Sequence, residues 1–240
     1  MSTKVQYQEL LQAGVHFGHM RKKWNPKMRQ YIFAERKGVH LIDLNRTIEC
    51  LDDAANAMRS IAKSGRKILF VATKKQARDI ITDAAKSVNM PYVTDRWLGG
   101  MMTNFATIRR SVKKMQNIEN MLGDNTLTSI TKKEKLSLQR EKDKLERVLG
   151  GVSNLNRIPA AMFVVDITHE HLAITEALKL GIRTAAMVDT NSNPNLVDFP
   201  IPSNDDASKS IAVITNIMVD EIKEGLEERK KAKAELEAAQ

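Results

Sequence analysis

Two histidines three residues apart, His16 and His19 in the run HFGH, and a set of aspartates far along the chain have the residue types for metal chemistry. Imidazole and carboxylate together suit zinc or another divalent ion, so His16, His19, Asp189, Asp205 and Asp206 form a candidate metal set. Hydrogen bonds within their own loops are the competing reading. A second pairing, Asp166 with His169, has the types of an acid/base couple. Little else supports an enzyme. There is no nucleophile elbow and no HExxH, and the turn Ala72-Thr73-Lys74-Lys75 fits neither phosphate-loop pattern. Aspartates at strand ends also cap the helices that follow them. The sequence argues against catalysis and requires no cofactor.

A different chemistry is concentrated between Phe17 and Arg36. There Arg21, Lys22, Lys23, Lys27, Arg29 and Arg36 interleave with Phe17, Trp24 and Tyr31, around Asn25-Pro26 and without a sustained period. Cations neutralise phosphates while flat rings stack on unpaired bases, so an irregular loop of this make-up suits RNA. Trp24 and Phe17 can equally pin the segment to a core. A second basic stretch, residues 96–151, holds twelve Lys/Arg against six Asp/Glu, a surplus of +6 out of +9 for the whole chain. Arg96, Arg109, Arg110, Lys113 and Lys114 at its start join Arg21, Lys22, Lys23, Lys27 and Arg29 as candidate phosphate contacts. Trp24 and Trp97 are candidate anchors, although Trp97 can instead pack beneath the base of a hairpin.

Periodicity predicts the elements that hold these groups. Residues 5–12 suit a short helix stopped at Gly14, and residues 31–44 a β-hairpin turning at Lys37-Gly38. A helix capped by Asn45 runs to about Lys63, with Ile48, Leu51, Ala55, Met58 and Ala62 on one face. Nearly continuous apolar runs at 67–73, 159–166 and 182–189 read as parallel strands covered on both faces. Shorter strands are expected at 91–95 and about 198–201, and helices at 74–88, at 169–180 closed by Gly181, and from about Ala207 onward behind a cap at Asp205 or Asp206. Between the halves, Phe105, Ile108, Val112, Met115, Ile118 and Leu122 form one helical stripe. A break at Gly123-Asp124-Asn125 and a return from Ser129 or Thr131, with Leu138, Leu145 and Leu149, complete an antiparallel coiled coil. The fold class is therefore α/β: three layers around a mostly parallel, flavodoxin- or Rossmann-like sheet in residues 1–103 and 150–240, with a coiled-coil hairpin inserted at 104–149.

The composition agrees. At 240 residues, 42% hydrophobic and 28% charged, the chain is globular, and a net charge of +9 suits a polyanionic partner, nucleic acid or an anionic membrane surface. No apolar run approaches the roughly 18 residues that span a membrane. One cysteine and an N-terminus without the apolar core of a signal peptide lead us to expect the cytoplasm.

AGVHFGH (13–19), WNPKM (24–28), VHLIDL (39–44), RWLGGMMTNF (96–105), LGGV (149–152), the run 159–182, VDTNSNP (188–194) and IPSNDDA (201–207) together resemble the bacterial small-subunit ribosomal protein S-two family. The resemblance covers nearly the whole chain, in order. It implies an α/β body with a protruding coiled coil, bound to 16S ribosomal RNA between head and body of the small subunit. It also implies neighbouring small-subunit proteins and a part in docking ribosomal protein one for initiation. The family's zinc-type site, carried over, falls on His16 or His19 with Asp189, Asp205 and Asp206. Two positions depart from the pattern: Ser203 stands where glycine is expected, and Asn193 where aspartate is common. The C-terminal extension of the eukaryotic relatives is absent, which points to the bacterial branch.

Overall fold

The computed structural model describes residues 7–123 and 131–238; Asp124, Asn125 and Ser129, named above for the hairpin's turn, lie outside them. The chain opens with α1 (Tyr7–Gln12) and turns at Gly14, where φ is +75°. It then forms β1 (Phe17–Met20), β2 (Ile32–Arg36) and β3 (Val39–Ile42), an antiparallel sheet in the order β1-β3-β2. The turn at Lys37-Gly38 has positive φ at both residues, the backbone that a tight β2–β3 hairpin needs. β1 was expected as irregular loop. Its four residues carry a bulge against β3 and no clean alternation of burial, so no period betrays it. Single 3-10 turns at Arg21–Lys23 and Pro26–Tyr31 carry most of the cations; Asn25 caps the second by accepting from the Lys27 N–H at 3.0 Å.

α2 (Leu44–Lys63) is capped by the Asp43 carboxylate, which accepts from the Asn45 N–H at 2.9 Å. Asn45 is thus the donor, not the cap that its side chain suggested. Then come β4 (Ile68–Val71), α3 (Arg78–Ser87) and the two-residue β5 (Tyr92–Val93). α3 starts later than expected because residues 74–77 form a turn that aims Lys74 inward. The inserted arm is α4 (Phe105–Gly123) and α5 (Lys132–Leu149). Thr131 and Glu134 close a capping box at the start of α5. Met115 and Ile118 are buried in the hairpin, and Lys142 pairs with Glu119 across it at 2.8 Å.

The second half adds β6 (Ala161–Val165), α6 (His171–Leu180), β7 (Arg183–Val188), β8 (Phe199–Pro202) and α7 (Ser208–Ala238). The five-stranded sheet runs β5-β4-β6-β7-β8, parallel at every pairing. Phe70, Phe163 and Ala185 face one way, into α2, α3 and α7, where Leu51, Ile81, Ile214, Met218 and Ile222 meet them. Leu69, Val71, Met162, Val164 and Ala186 face α6 and the root of the hairpin, packed on Trp97, Met101, Ile108, Val112 and Leu149. This is the three-layer α/β fold that the alternating strands and helices implied, and the hairpin's root completes one face of its core. Asn204, rather than Asp205 or Asp206, closes the turn ahead of α7, accepting from the N–H groups of Asp206 and Ala207 at 2.9 and 3.2 Å. Asp205 thereby turns inward to full burial, and Asp206 remains exposed at the rim.

Candidate nucleic-acid interface

Strand order reverses between β4 and β6, the switch point where a doubly wound sheet leaves a crevice beyond its carboxyl ends. Here the crevice holds an ammonium. Lys74 Nζ lies 2.8 Å from Asp166 Oδ2, 2.7 Å from Asp205 Oδ1 and 2.8 Å from Asp206 Oδ1. Asp166 sits at φ +65°, and its other oxygen accepts from the Thr168 and His169 N–H groups at 2.8 and 3.0 Å. Burial and the negative charges of Asp166 and Asp189 push the Asp205 carboxyl up to about 7, against the pull of Lys74. Lys74 stays charged. Burial alone lowers its pKa, but Asp205, Asp166 and Asp206 together raise it above the ordinary lysine value.

The same hub clamps the N-terminal segment. His19 Nδ1 is 2.8 Å from Asp189 Oδ2, and its Nε2 is 3.5 Å from Asp206 Oδ2. The hydrogen bond with Asp189 raises the His19 pKa, partly offset by burial. The His19 N–H reaches Thr190 Oγ1 at 2.9 Å, and the Asn25 N–H reaches the Thr190 carbonyl at 2.7 Å. Gly18 is needed there, since a Cβ would come within 2.6 Å of the Thr190 side chain. Asn204 donates to the Gly14 carbonyl at 3.2 Å. The loops holding VDT and NDD are thus what fix the basic segment to the sheet. On it, Arg21, Lys22, Lys23, Lys27 and Arg29 are all exposed; among the described residues Arg21 forms an ion pair, with Glu35 at 3.4 Å, and Lys23 acts on Asp206 at longer range. Trp24 is half-buried with its ring 5.3 Å from that of His40, so it pins the segment.

The second basic group surrounds the hairpin root. Glu176, buried on α6, accepts from Trp97 Nε1 at 3.1 Å, from the N–H groups of Gly100, Met102 and Thr103 at 2.8–2.9 Å, and from Thr103 Oγ1 at 3.0 Å. Trp97 is therefore core, at 6% exposure, and no base can stack on it. Arg96, Arg110 and Lys113 are exposed. Arg109 instead donates to the carbonyls of Ser153 and Leu155 at 3.0 and 3.1 Å, and Lys114 pairs with Glu141. Those two side chains hold the hairpin.

Residues 10–225 match the family described as Ribosomal protein S2. The chain belongs to that family. It is 59% identical over 233 residues to the small ribosomal subunit protein uS2 of Cytophaga hutchinsonii, covering 97% of this chain and 92% of that one. The protein of the same name from Flavobacterium johnsoniae is 55% identical over 240 residues, all of this chain and 94% of its own. That from Parabacteroides distasonis is 52% identical over 238 residues, 99% and 86% of the two chains. As an S2-family member the chain is a ribosomal protein and not an enzyme. The Asp166–His169 couple accordingly carries no acid/base geometry: His169 Nδ1 faces Thr73 Oγ1 at 2.9 Å and Glu170 Oε1 at 3.2 Å, and His169 meets Asp166 through its backbone N–H.

The two departures from the S2 pattern have local explanations. Ser203 does not need glycine's freedom, because its φ is not positive, and its hydroxyl donates to the Ile201 carbonyl at 3.0 Å. Asn193 caps the 3-10 turn Pro194–Leu196 by accepting from the Asn195 N–H at 3.2 Å, as an aspartate would. Of the metal set, His19, Asp205 and Asp206 bring one ligand atom each within 4.8 Å of one another. Asp189 joins them through His19. His16 does not: its ring stacks on Phe17 at 4.0 Å beside Tyr7, Leu11 and Phe33, and burial lowers its pKa.

Proposed function

We propose that this chain binds 16S ribosomal RNA between head and body of the small subunit, in the cytoplasm, and helps dock ribosomal protein one there for initiation. The observation that carries the RNA reading is the run of exposed cations, Lys22, Lys27 and Arg29 among them without an ion-pair partner among the described residues, on a segment clamped to the sheet by His19, Asp189 and Thr190. A clamped cation loses little freedom on meeting a phosphate, so its charge converts efficiently into affinity. Arg21, Lys22, Lys23, Lys27 and Arg29 make one set of phosphate contacts, and Arg96, Arg110 and Lys113 the other, with Arg109, Lys114, Trp24 and Trp97 holding both in place. Docking of a protein is supported by the outer face of the small sheet, where Phe33 is 75% exposed and shares a hollow with Tyr7 and Leu11.

Crosslinking within assembled small subunits, with peptide mapping, tests both parts. RNA adducts are expected at 21–29 and 96–113, and protein-one crosslinks around Phe17 and Phe33; adducts that avoid both basic segments sink the RNA reading. Substituting Lys22, Lys23 and Lys27 with alanine should also reduce the slope of log K against log salt by about 2–3, from about 0.7–0.9 per phosphate contact.

A divalent ion such as zinc suits the hub. The Oδ1 atoms of Asp205 and Asp206 are taken by Lys74, whereas Asp205 Oδ2 is buried without a partner among the described residues. That atom, Asp206 Oδ2 and His19 Nε2 are the donors, and Asp189 on Nδ1 orients the imidazole as an outer-shell carboxylate does. When bound, the ion ties the N-terminal segment to α7 and does no chemistry. Elemental analysis after dialysis should find zinc with the wild-type chain and not with His19→Ala; equal, negligible zinc in both removes the ion from the account.

A further inference from the structure

At the amino ends of the strands, opposite the acidic hub, two hollows of about 570 and 230 Å³ share Lys67, Asn89 and Met90 in their walls and so form one groove. It runs from the second half of α7, past the starts of β4 and β5, to the hairpin root at Gly150-Gly151. Its walls are basic, and Glu227 is the one acid among the lining residues. The asymmetry has a cause in α7. Glu221, Glu224 and Glu228 of that helix are drawn to Arg59 and Lys63 on α2, at 3.4 Å from Glu221 to Arg59, 2.7 Å from Glu224 to Arg59 and 2.9 Å from Glu228 to Lys63. Their withdrawal leaves Arg229 and Lys230 to the groove.

Arg66, Lys67, Lys86, Arg229 and Lys230 have no carboxylate partner among the described residues. Several are nonetheless held in place. Lys67 Nζ donates to the Asn89 carbonyl at 2.7 Å, Arg66 Nε donates to Ser64 Oγ at 3.0 Å, and Lys86 Nζ stands 6.0 Å from the centre of the Tyr92 ring. The Arg229 guanidinium lies over Gly65, where a Cβ would meet its Cζ at 2.2 Å. Like charges collected in one concave strip repel one another, and an anion in the strip relieves that repulsion.

We propose that this groove seats the phosphodiester backbone of a second RNA segment, so that the chain bridges two pieces of RNA across its sheet. The inference rests on the rRNA reading above and extends it to a face away from the N-terminal cations, one that meets the second basic group only where the groove ends at the hairpin root. The occupant is backbone rather than bases, because the groove's aromatic ring, Tyr92, is already covered by Lys86. Strands of four to six residues set the two ends of the sheet, and with them the groove and the N-terminal cations, roughly 13–20 Å apart. That exceeds the screening length of about 8 Å at physiological salt, so the two surfaces act as separate contacts.

The test uses Arg66→Glu/Lys86→Glu/Lys230→Glu, three exposed positions, added to small subunits prepared without this chain. Relative to wild type, its binding should weaken at least tenfold at physiological salt, and its salt slope should fall by about 2–3. RNA crosslinks in wild-type subunits should also map to 66–67, 86–89 and 229–233. Wild-type affinity and slope in the variant, with adducts confined to the two basic motifs, overturn the groove and leave the rRNA reading standing. Failure of the wild-type chain to crosslink RNA anywhere overturns both. Crosslinks from the groove to acidic protein segments, with the salt slope unchanged, make it a protein site and overturn the proposal.

Discussion

Lys74→Met should lower the unfolding free energy by about 3–5 kcal/mol, the usual cost of stranding a buried charge by deleting its partner. Here the ammonium is the single lysine shared by Asp166, Asp205 and Asp206, at 2.7–2.8 Å from each. Methionine keeps the stem and removes the charge, so the loss is electrostatic rather than a cavity. For a chain of this size the melting temperature should drop by roughly 6–20 °C. The deficit has a definite pH dependence. Without the ammonium the Asp205 carboxyl, already at about 7 beside it, is pushed higher, so the deficit is widest above pH 7 and narrows as pH falls through that value and the carboxyl becomes protonated in both proteins. Urea unfolding at pH 7.5 and pH 5 measures it. A deficit below about 1 kcal/mol at pH 7.5 would mean that the hub is solvated and carries no structural weight.

Lys74 also shows where the sequence was legible and where it was not. The strands 161–165 and 183–188 declare themselves through the apolar runs 161–165 and 185–188, because both faces are covered and, apart from the exposed Arg183 at the start of the second, every residue in them is buried. The hairpin's stripe is equally plain, since Ile108, Val112, Met115 and Ile118 are all buried at helical spacing. Lys74 is different. As one lysine in the turn Thr73-Lys74-Lys75 it has no local signature, and its role exists only because the strand order places Asp166 beside β4 and the Asn204 turn points Asp205 back. The site aspartates were found by residue type, yet their grouping with His19 and not His16 depends on β1. Pairing of that strand with β3 holds His19 against Asp189 at the end of β7, while His16, which precedes the strand, packs against Phe17. The cationic candidates divide in the same way. Exposure of Arg21–Arg29 follows from an irregular polar segment, but the capture of Arg109 by the Ser153 and Leu155 carbonyls requires knowing that residues 150–155 pass beneath α4.

Glu176 has a signal in the sequence: a lone acid on the face of α6 that Ala173, Ile174 and Ala177 bury. An acid on a buried helical face must find donors, and here they are Trp97 Nε1, three N–H groups and a hydroxyl from the segment WLGGMMT. Burial pushes the Glu176 carboxyl up, but hydrogen bonds from Thr103, Met102, Trp97 and Gly100 outweigh it and hold the pKa below the usual carboxylate range. The folded value is the depressed one, so this stabilisation is present above an ordinary carboxylate pKa near 4.3 and disappears as pH falls through the folded value. Glu176→Gln turns an amide N–H₂ toward donors and orphans at least two of them, at about 1–3 kcal/mol each. A total loss of about 3 kcal/mol or more at pH 7 is expected, with the variant and wild-type stability curves converging in acid. In a Trp24→Phe background the remaining emission reports Trp97, and it should shift to the red as the segment loosens. Because Arg96 directly precedes that segment and α4 with Arg110 and Lys113 follows it, binding to the small subunit should weaken with it. An unchanged Trp97 spectrum and a loss below about 1 kcal/mol would show that the apolar contacts of Met101 and Met102 hold the hairpin root without the carboxylate.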